Sequence, residues 1–309
     1  MKRLPLLLTA AVLLCSCTIS NKNLLSEKIA KYPADKYITK IVSDADKKTA
    51  KNTALAELKT IFGGLPQYEG SALRRETILS NAYTAQWWKD RTTGKYYAIA
   101  VLERQPAMDI LTPYYQPIDN SLSGLQAKIN GESDKFVRLK NAVLMPPLLK
   151  QREQLDSEYR LLSFTSSSFD EEKLYAFKSI YNKTFYDIRI NTTITGLKDN
   201  TVKTYIIDAL NSLGFSVGED LKDYDIDLGI ETVADNYPSK TTDGLYWSTA
   251  TANVTLKDKQ TEGVFAAFSQ AQRIGASRAE EAQRRSLIAA GQASAPEIKV
   301  KLLEYIDKK

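Results

Sequence analysis

The sequence predicts an α+β protein: two small α/β sandwich-like domains, each a mostly antiparallel sheet with packed helices, joined by a helical segment. Three observations carry that reading. Two strand–turn–strand runs are closed by turns of similar composition, Lys89-Asp90-Arg91-Thr92-Thr93-Gly94-Lys95 and Lys257-Asp258-Lys259-Gln260-Thr261-Glu262-Gly263. Each run stands near a stretch whose small and apolar residues recur at helical spacing. Between the two halves, Phe164-Thr165-Ser166-Ser167-Ser168 has the composition of a linker.

Taken in order, residues 1–16 read as a leader, 17–31 as a tether, 32–165 as the first domain with a helical extension, and 169–309 as the second domain. Order should begin at Tyr32, with Tyr37, Ile38, Ile41 and Val42 forming a short strand. Ser43 with Asp46 three residues on resembles a capping box. Ala50, Ala54, Leu58 and Phe62 then repeat at helical spacing until Gly63-Gly64 and Pro66 stop the helix. Residues 74–88 read as extended, and Gly94 supplies the positive φ that turns the chain into the strand Tyr96–Leu102. Pro106 to Pro117 reads as a loop. Helical spacing resumes through Leu122, Leu125, Ile129, Phe136, Leu139 and Val143, and Pro146-Pro147 should open a further helix. These helices are expected to cover the first sheet.

In the second half, a helix over about 170–182 precedes a strand from Phe185 to Ile194. Val202, Ile206, Ala209, Leu210 and Leu213 form a helix closed by Gly214. Tyr224, Ile226, Leu228 and Ile230 alternate with Asp223, Asp225 and Asp227, the signature of a half-buried strand. The second hairpin joins Trp247–Leu256 to Val264–Ile274. Ser277 with Glu280 caps a final helix that Gly291 should end, and Ile298–Ile306 is strand, helix or both.

The leader has three parts. Lys2 and Arg3 supply positive charge, Leu4–Leu14 is apolar, and Cys15-Ser16 are small residues before Cys17. Leu14-Cys15-Ser16-Cys17 reads as a lipobox, with cleavage after Ser16 and lipidation at Cys17. The apolar run is roughly half the length of a spanning helix. Cysteine usage agrees: of two cysteines in the chain, Cys15 would leave with the leader and Cys17 would carry lipid. Two or three acyl chains hold a protein on a bilayer where one binds reversibly. Thr18 stands where Asp would signal retention at an inner membrane, so the expected address is the bacterial outer membrane, facing the periplasm.

Composition narrows the chemistry. The net charge of +5 falls further once Lys2 and Arg3 leave, and interspersed charge of that kind is no nucleic-acid footprint. There is no histidine, which removes the commonest general base and metal ligand. Without a free thiol either, Ser–His and Cys–His nucleophile pairs and the usual zinc sites are excluded. No metal, cofactor or catalytic residue is expected. Asp223, Asp225 and Asp227 fail the calcium-loop pattern, because Leu228 and Ala234 stand where Gly and Glu are required.

Tyr32-Pro33-Ala34-Asp35-Lys36-Tyr37-Ile38, the Ala-rich run at 50–58, and Trp88-Lys89-Asp90 through Gly94-Lys95-Tyr96-Tyr97-Ala98 resemble the Lpp-twenty lipoprotein family. Its members are bacterial outer-membrane lipoproteins, related to the amino-terminal domain of flagellar assembly protein T. The resemblance covers about residues 30–105 and implies a small α+β domain, a lipid anchor and no catalytic residues. Ser43-Asp44-Ala45 departs from the glycine-rich end usual for the family's first strand. The second half is similar in layout to accessory domains of curli-export and peptidoglycan-synthase activator lipoproteins, an analogy of fold alone.

The candidate partner-binding residues are aromatic: Trp87, Trp88, Tyr96, Tyr97, Tyr114 and Tyr115. Neighbours in a hairpin point to opposite faces, so one Trp–Tyr pair should be core and the other should face outward. Arg273, Arg278, Arg284 and Arg285 make the last helix basic, read as a solvated face. The functional expectation is a non-catalytic, lipid-anchored binding or assembly module of the cell envelope. Its partners would be the bilayer through acylated Cys17 and other envelope proteins. The alternative is a regulator or binder of the peptidoglycan machinery, and an enzyme working through carboxylates is the third reading.

Overall fold

The structure is a computed structural model that describes residues 25–196, 200–236 and 239–308. Cys17, Ser16 and the rest of the leader lie outside the described residues. The chain is an α+β protein with two compact units. One comprises the described part of Met1–Tyr114 with Gln154–Phe169, the other Tyr115–Glu153 with Asp170–Lys309. The sequence reading cuts the chain once, near 165–169, whereas the two units interleave along it.

The first unit holds β1 (Tyr37–Asp44), α1 (Lys47–Leu58), α2 (Ser71–Leu79), β2 (Tyr83–Lys89), β3 (Tyr96–Glu103) and α3 (Arg104–Leu111). Its antiparallel sheet has the order β1-β3-β2, with Ile41 opposite Ile99 and Trp88 opposite Tyr97. β3 is central, and Ala98, Ile99, Ala100, Val101 and Leu102 are all fully buried. On α1 the buried face is Ala50, Ala54 and Leu58, one residue per turn, and the alanines let the helix backbone come close to β1 and β3.

Several expectations change here. A short helical segment at 25–29 already precedes Tyr32. Ser43 lies inside β1, and Asp46 is the N-cap of α1, accepting from the Thr49 N–H at 2.8 Å. That bond holds the Asp46 carboxyl below its ordinary range. Residues 74–79, read as extended, belong to the helix α2. The supposed loop at 106–117 is also helical: Pro106 falls in the first turn of α3 and Pro117 in the first turn of α4 (Tyr115–Gly131). A proline is tolerated there because the first N–H groups of a helix have no partner within it.

The second unit continues with α5 (Lys135–Ala142), α6 (Met145–Ser163, whose residues from 154 count with the first unit), α7 (Glu171–Tyr186), β4 (Arg189–Thr195), α8 (Asn200–Asn211) and β5 (Ser216–Gly218). Then come β6 (Ile226–Asn236), β7 (Tyr246–Asp258), β8 (Val264–Ala276) and α9 (Ala279–Lys308). The sheet order is β5-β4-β6-β7-β8. β4 runs parallel to both β5 and β6, while β6, β7 and β8 are antiparallel. Helices line one face of it. Leu122, Ile129 and Leu139, expected against the first sheet, belong instead to a core with Ile190, Ile230 and Val254 of the second.

Two further corrections have clear causes. Phe185 ends α7 rather than starting a strand; it is buried beside Phe215, ring centroids 5.4 Å apart. Gly291 does not end the last helix, which runs on through Ile298, Leu302 and Ile306 to Lys308. A β-carbon at Gly291 would stand 2.4 Å from the Ile206 side chain, so the glycine lets α9 approach α8. Arg273 lies in β8, not in that helix.

Candidate functional site

The hairpin β2–β3 carries four of the six aromatic candidates, and its turn is built by one buried carboxylate. Asp90 accepts from the Thr92 N–H at 2.8 Å and from the Thr93 hydroxyl at 2.8 Å, while its own N–H donates to the Lys95 carbonyl. Gly94 takes φ +72° to close the loop. Strand alternation then places Trp87 and Tyr96 on one face, 6.5 Å apart, and stacks Trp88 on Tyr97 on the other at 5.2 Å.

Neither pair is core. Trp87 is 43% exposed although it lies on the face that α1 covers; Lys47, on the first turn of α1, sets its ammonium 3.3 Å above the indole. Lys89 lies 5.1 Å above Tyr96. Trp88, Tyr96 and Tyr97 are half-buried. The result is an aromatic surface with two cations on it, suited to stacking against a planar or sugar-like group and to cation–π contact. Tyr114 and Tyr115 do not act together. Tyr114 is 44% exposed in the first unit, near Arg74, whereas Tyr115 is 1% exposed in the second and lies under Arg152.

Within the first unit the sequence reading missed a buried ionic cluster. Glu158 is fully buried, and Arg74 grips it through Nε at 2.8 Å and a second guanidinium nitrogen at 3.0 Å. Arg75 Nε donates to the same carboxylate at 2.7 Å, as does the Tyr68 hydroxyl at 2.8 Å. Burial, followed by the bond to Glu158, pushes the Tyr68 phenol above its ordinary range. Both oxygens of Glu158 are occupied by donors, which suits a structural clamp. Arg104 is a second buried cation, donating to the carbonyls of Ala34, Leu161 and Leu162. Nothing local marks these residues in the sequence, because Arg74 and Glu158 are far apart along the chain. In the second unit Arg152 is fully buried and donates to Asp119 at 2.7 Å.

Among the described residues an open cleft lies in each unit. In the first, about 490 Å³ is lined by Lys59, Phe62, Gln67, Arg75 and Glu76. In the second, about 600 Å³ is lined by Tyr181, Phe185, Tyr186, Leu213 and Lys299. Burial lowers Lys299 and raises Tyr181 from their ordinary values. Lys299 donates to the Leu213 carbonyl at 3.3 Å and lies 4.9 Å from the Phe185 ring, so it caps the chain after α8. The aspartates before and within β6 are each paired: Asp223 with Arg189, Asp225 with Lys135, and Asp227 with Asn191. Among the described residues no cluster of three or more His, Cys, Asp or Glu is placed to hold a metal.

No family model matches the sequence, and no curated protein matches it. Solved structures do show similarity. A secreted protein of Helicobacter pylori is 15% identical over 84% of this chain and 97% of its own, at a TM-score of 0.32. A minor lipoprotein of Acinetobacter baumannii is 12% identical over 36% of this chain and 92% of its own, at 0.30. The rare lipoprotein B of Shewanella oneidensis is 9% identical over 39% and 94%, at 0.23. Superpositions this loose establish neither the fold nor the function of this chain.

Proposed function

We propose that the chain is a lipid-anchored protein of the bacterial envelope that works by binding rather than by catalysis. The observation that carries this reading is Leu14-Cys15-Ser16-Cys17 directly after a short charged and apolar leader. The body supports it in one respect: no described helix is long and apolar enough to cross a membrane. Cys17 is the acylated residue, the outer membrane is the address, and the periplasm is the side on which the body works. The exposed Trp87 and half-buried Tyr96, with Lys47 and Lys89 above them, form the surface offered to other envelope proteins in an assembly.

Metabolic labelling with a clickable fatty acid tests the anchor. The wild-type chain takes the label and Cys17→Ser loses it; a label that survives the substitution removes the basis of the proposal. Mild crosslinking in cells tests the surface, since Trp87→Ala should lose partners that wild type retains. Binding to purified peptidoglycan instead of proteins would move the reading to the cell-wall alternative.

A further inference from the structure

The two sheets have four edge strands, and three of them carry recognised protection against pairing with another chain. An edge strand presents a row of unpaired N–H and C=O groups, and proteins blunt it by shortness, charge, proline or a bulge. β5 has only three residues. β1 carries Lys40 and Asp44. β2 ends in Lys89 and is broken by a register shift between Thr84 and Gln86.

β8 is built otherwise. It is 13 residues long, contains no proline, and has Arg273 as its one charged residue. A register shift near Phe265 disturbs one end; from Ala266 to Ala276 the pairing with β7 is regular. The stretch Ala266-Ala267-Phe268-Ser269-Gln270-Ala271-Gln272 is therefore regularly paired on one side and uncharged along an edge that no described strand covers. Ala267, Ser269 and Ala271 are exposed on the side of the sheet away from the helices, while Phe268, Gln270 and Gln272 are half-buried on the other.

We infer that β8 is the contact strand of a homodimer, its open edge pairing antiparallel with the same strand of a second copy. The edge suits its own likeness. An antiparallel pair of identical strands has two-fold symmetry, so each chain presents the same surface to the other. Over Ala266–Gln272 that symmetry sets no like charges opposite one another, a clash that would otherwise oppose self-pairing. Alternation matches as well, since small residues meet small residues on the outer face, and the Phe268 and Gln side chains meet on the helix face. A partner strand of another protein would gain the same main-chain bonds; the identical strand gains them through a two-fold contact with no like-charge clash over Ala266–Gln272. The inference does not depend on acylation of Cys17.

Cysteines placed singly at Ala267, Ser269 and Ala271 of the full chain, oxidised in the producing cells with copper phenanthroline, test it. The expected result is a disulfide-linked dimer whose yield peaks at one of these positions. Ser269→Lys, added to the best of the cysteine chains at another position, should lower that yield about fivefold, and mixing it with the Ser269→Glu counterpart should restore it. Val233→Lys, on the same sheet face but on β6, should leave the yield unchanged. The chain without an added cysteine is run alongside: a dimer band there reports a free thiol at Cys15 or Cys17 and bears on the anchor alone. The inference is overturned by the absence of a β8-specific dimer, by a dimer indifferent to Ser269→Lys, by equal loss from Val233→Lys, or by an adduct formed only with a different protein.

Discussion

The hairpins β2–β3 and β7–β8 share one turn and have opposite fates. In the second, Asp258 does what Asp90 does in the first. It accepts from the N–H two residues on, Gln260 at 2.7 Å, and its own N–H donates to the Gly263 carbonyl five residues on, as Asp90 donates to Lys95. Thr93 and Thr261 also correspond, each offering its hydroxyl oxygen to the N–H two residues later. The left-handed residue is Gly94 at φ +72° in one turn and Glu262 at φ +56° in the other, so Glu262, rather than Gly263, matches Gly94. Yet β3 ends in the middle of its sheet and β8 at the rim of its own. A turn decides that two neighbouring strands pair. What lies on the far side of the second strand depends on a strand supplied elsewhere in the chain: β1 does this for β3, and no described strand does it for β8.

The largest effect expected from this contrast is on packing. Ile99→Ala in β3 empties a fully buried position and should destabilise the first unit by about 2–5 kcal/mol. Phe268→Ala in β8, half-buried at the rim, should cost the second unit only about 1–2 kcal/mol despite removing a larger side chain. Urea unfolding of both variants, with Trp87 and Trp88 reporting on one unit and Trp247 on the other, measures the pair. Equal costs would break the distinction between central and rim strands.

Next come the turn carboxylates. Asp258→Ala should cost more than Asp90→Ala, within a range of about 1–3 kcal/mol, because Asp258 also accepts from the Tyr305 hydroxyl at 2.6 Å and so ties the turn to α9. Thermal unfolding of the two variants decides this; an equal or larger loss from Asp90→Ala would remove the Tyr305 bond as a source of stability for the second turn.

Gly94→Ala should then cost about 1 kcal/mol, since alanine must adopt a left-handed backbone there. Glu262→Gly relieves the same strain in the second turn but loses the ion pair with Lys257, so its net effect should be smaller than that of Gly94→Ala. Denaturation midpoints of the two variants provide the comparison.

The smallest effect is a pH dependence confined to the second turn. The hydrogen bond from Lys257, then its charge, holds the Glu262 carboxyl below its usual value. A depressed carboxyl stabilises the fold above its unfolded pKa, and that contribution fades as pH falls through the lower folded value. The Glu262→Gln variant should therefore lose less stability than wild type on acidification from pH 5 to about 3. Added salt should shrink the difference, because the pair is exposed. Parallel acid titrations followed by fluorescence would show this; identical profiles would remove Glu262 from the account.

Much of this architecture was legible along the chain. Both hairpins, α1 and the alternating strand β6 follow from local periodicity and from turn residues whose chemistry is complete within seven positions. The misreadings share a cause. Arg74 and Arg75 look like solvent-exposed charges until Glu158, 84 and 83 residues away, accepts their protons' bonds. Gly291 looks like a helix stop until Ile206 of another helix occupies the space a β-carbon would need. Prolines 106 and 117 look like loop markers because their place within a helix depends on where that helix begins.

The candidate aromatic surface was half legible: alternation sorts Trp87 with Tyr96 and Trp88 with Tyr97, but it does not say which face is covered, and here neither pair is fully buried. By itself, then, the amino-acid sequence determined the local units, the lack of imidazole chemistry and the Leu14-Cys15-Ser16-Cys17 run on which the proposed anchor rests. Tertiary structure decided which helices serve which core, which charges are buried, and which strand is left at an open rim. The reason is that a backbone bond within a turn or helix is closed by near neighbours. The burial of a side chain, or of a strand's second edge, is closed only by whatever distant segment arrives to cover it.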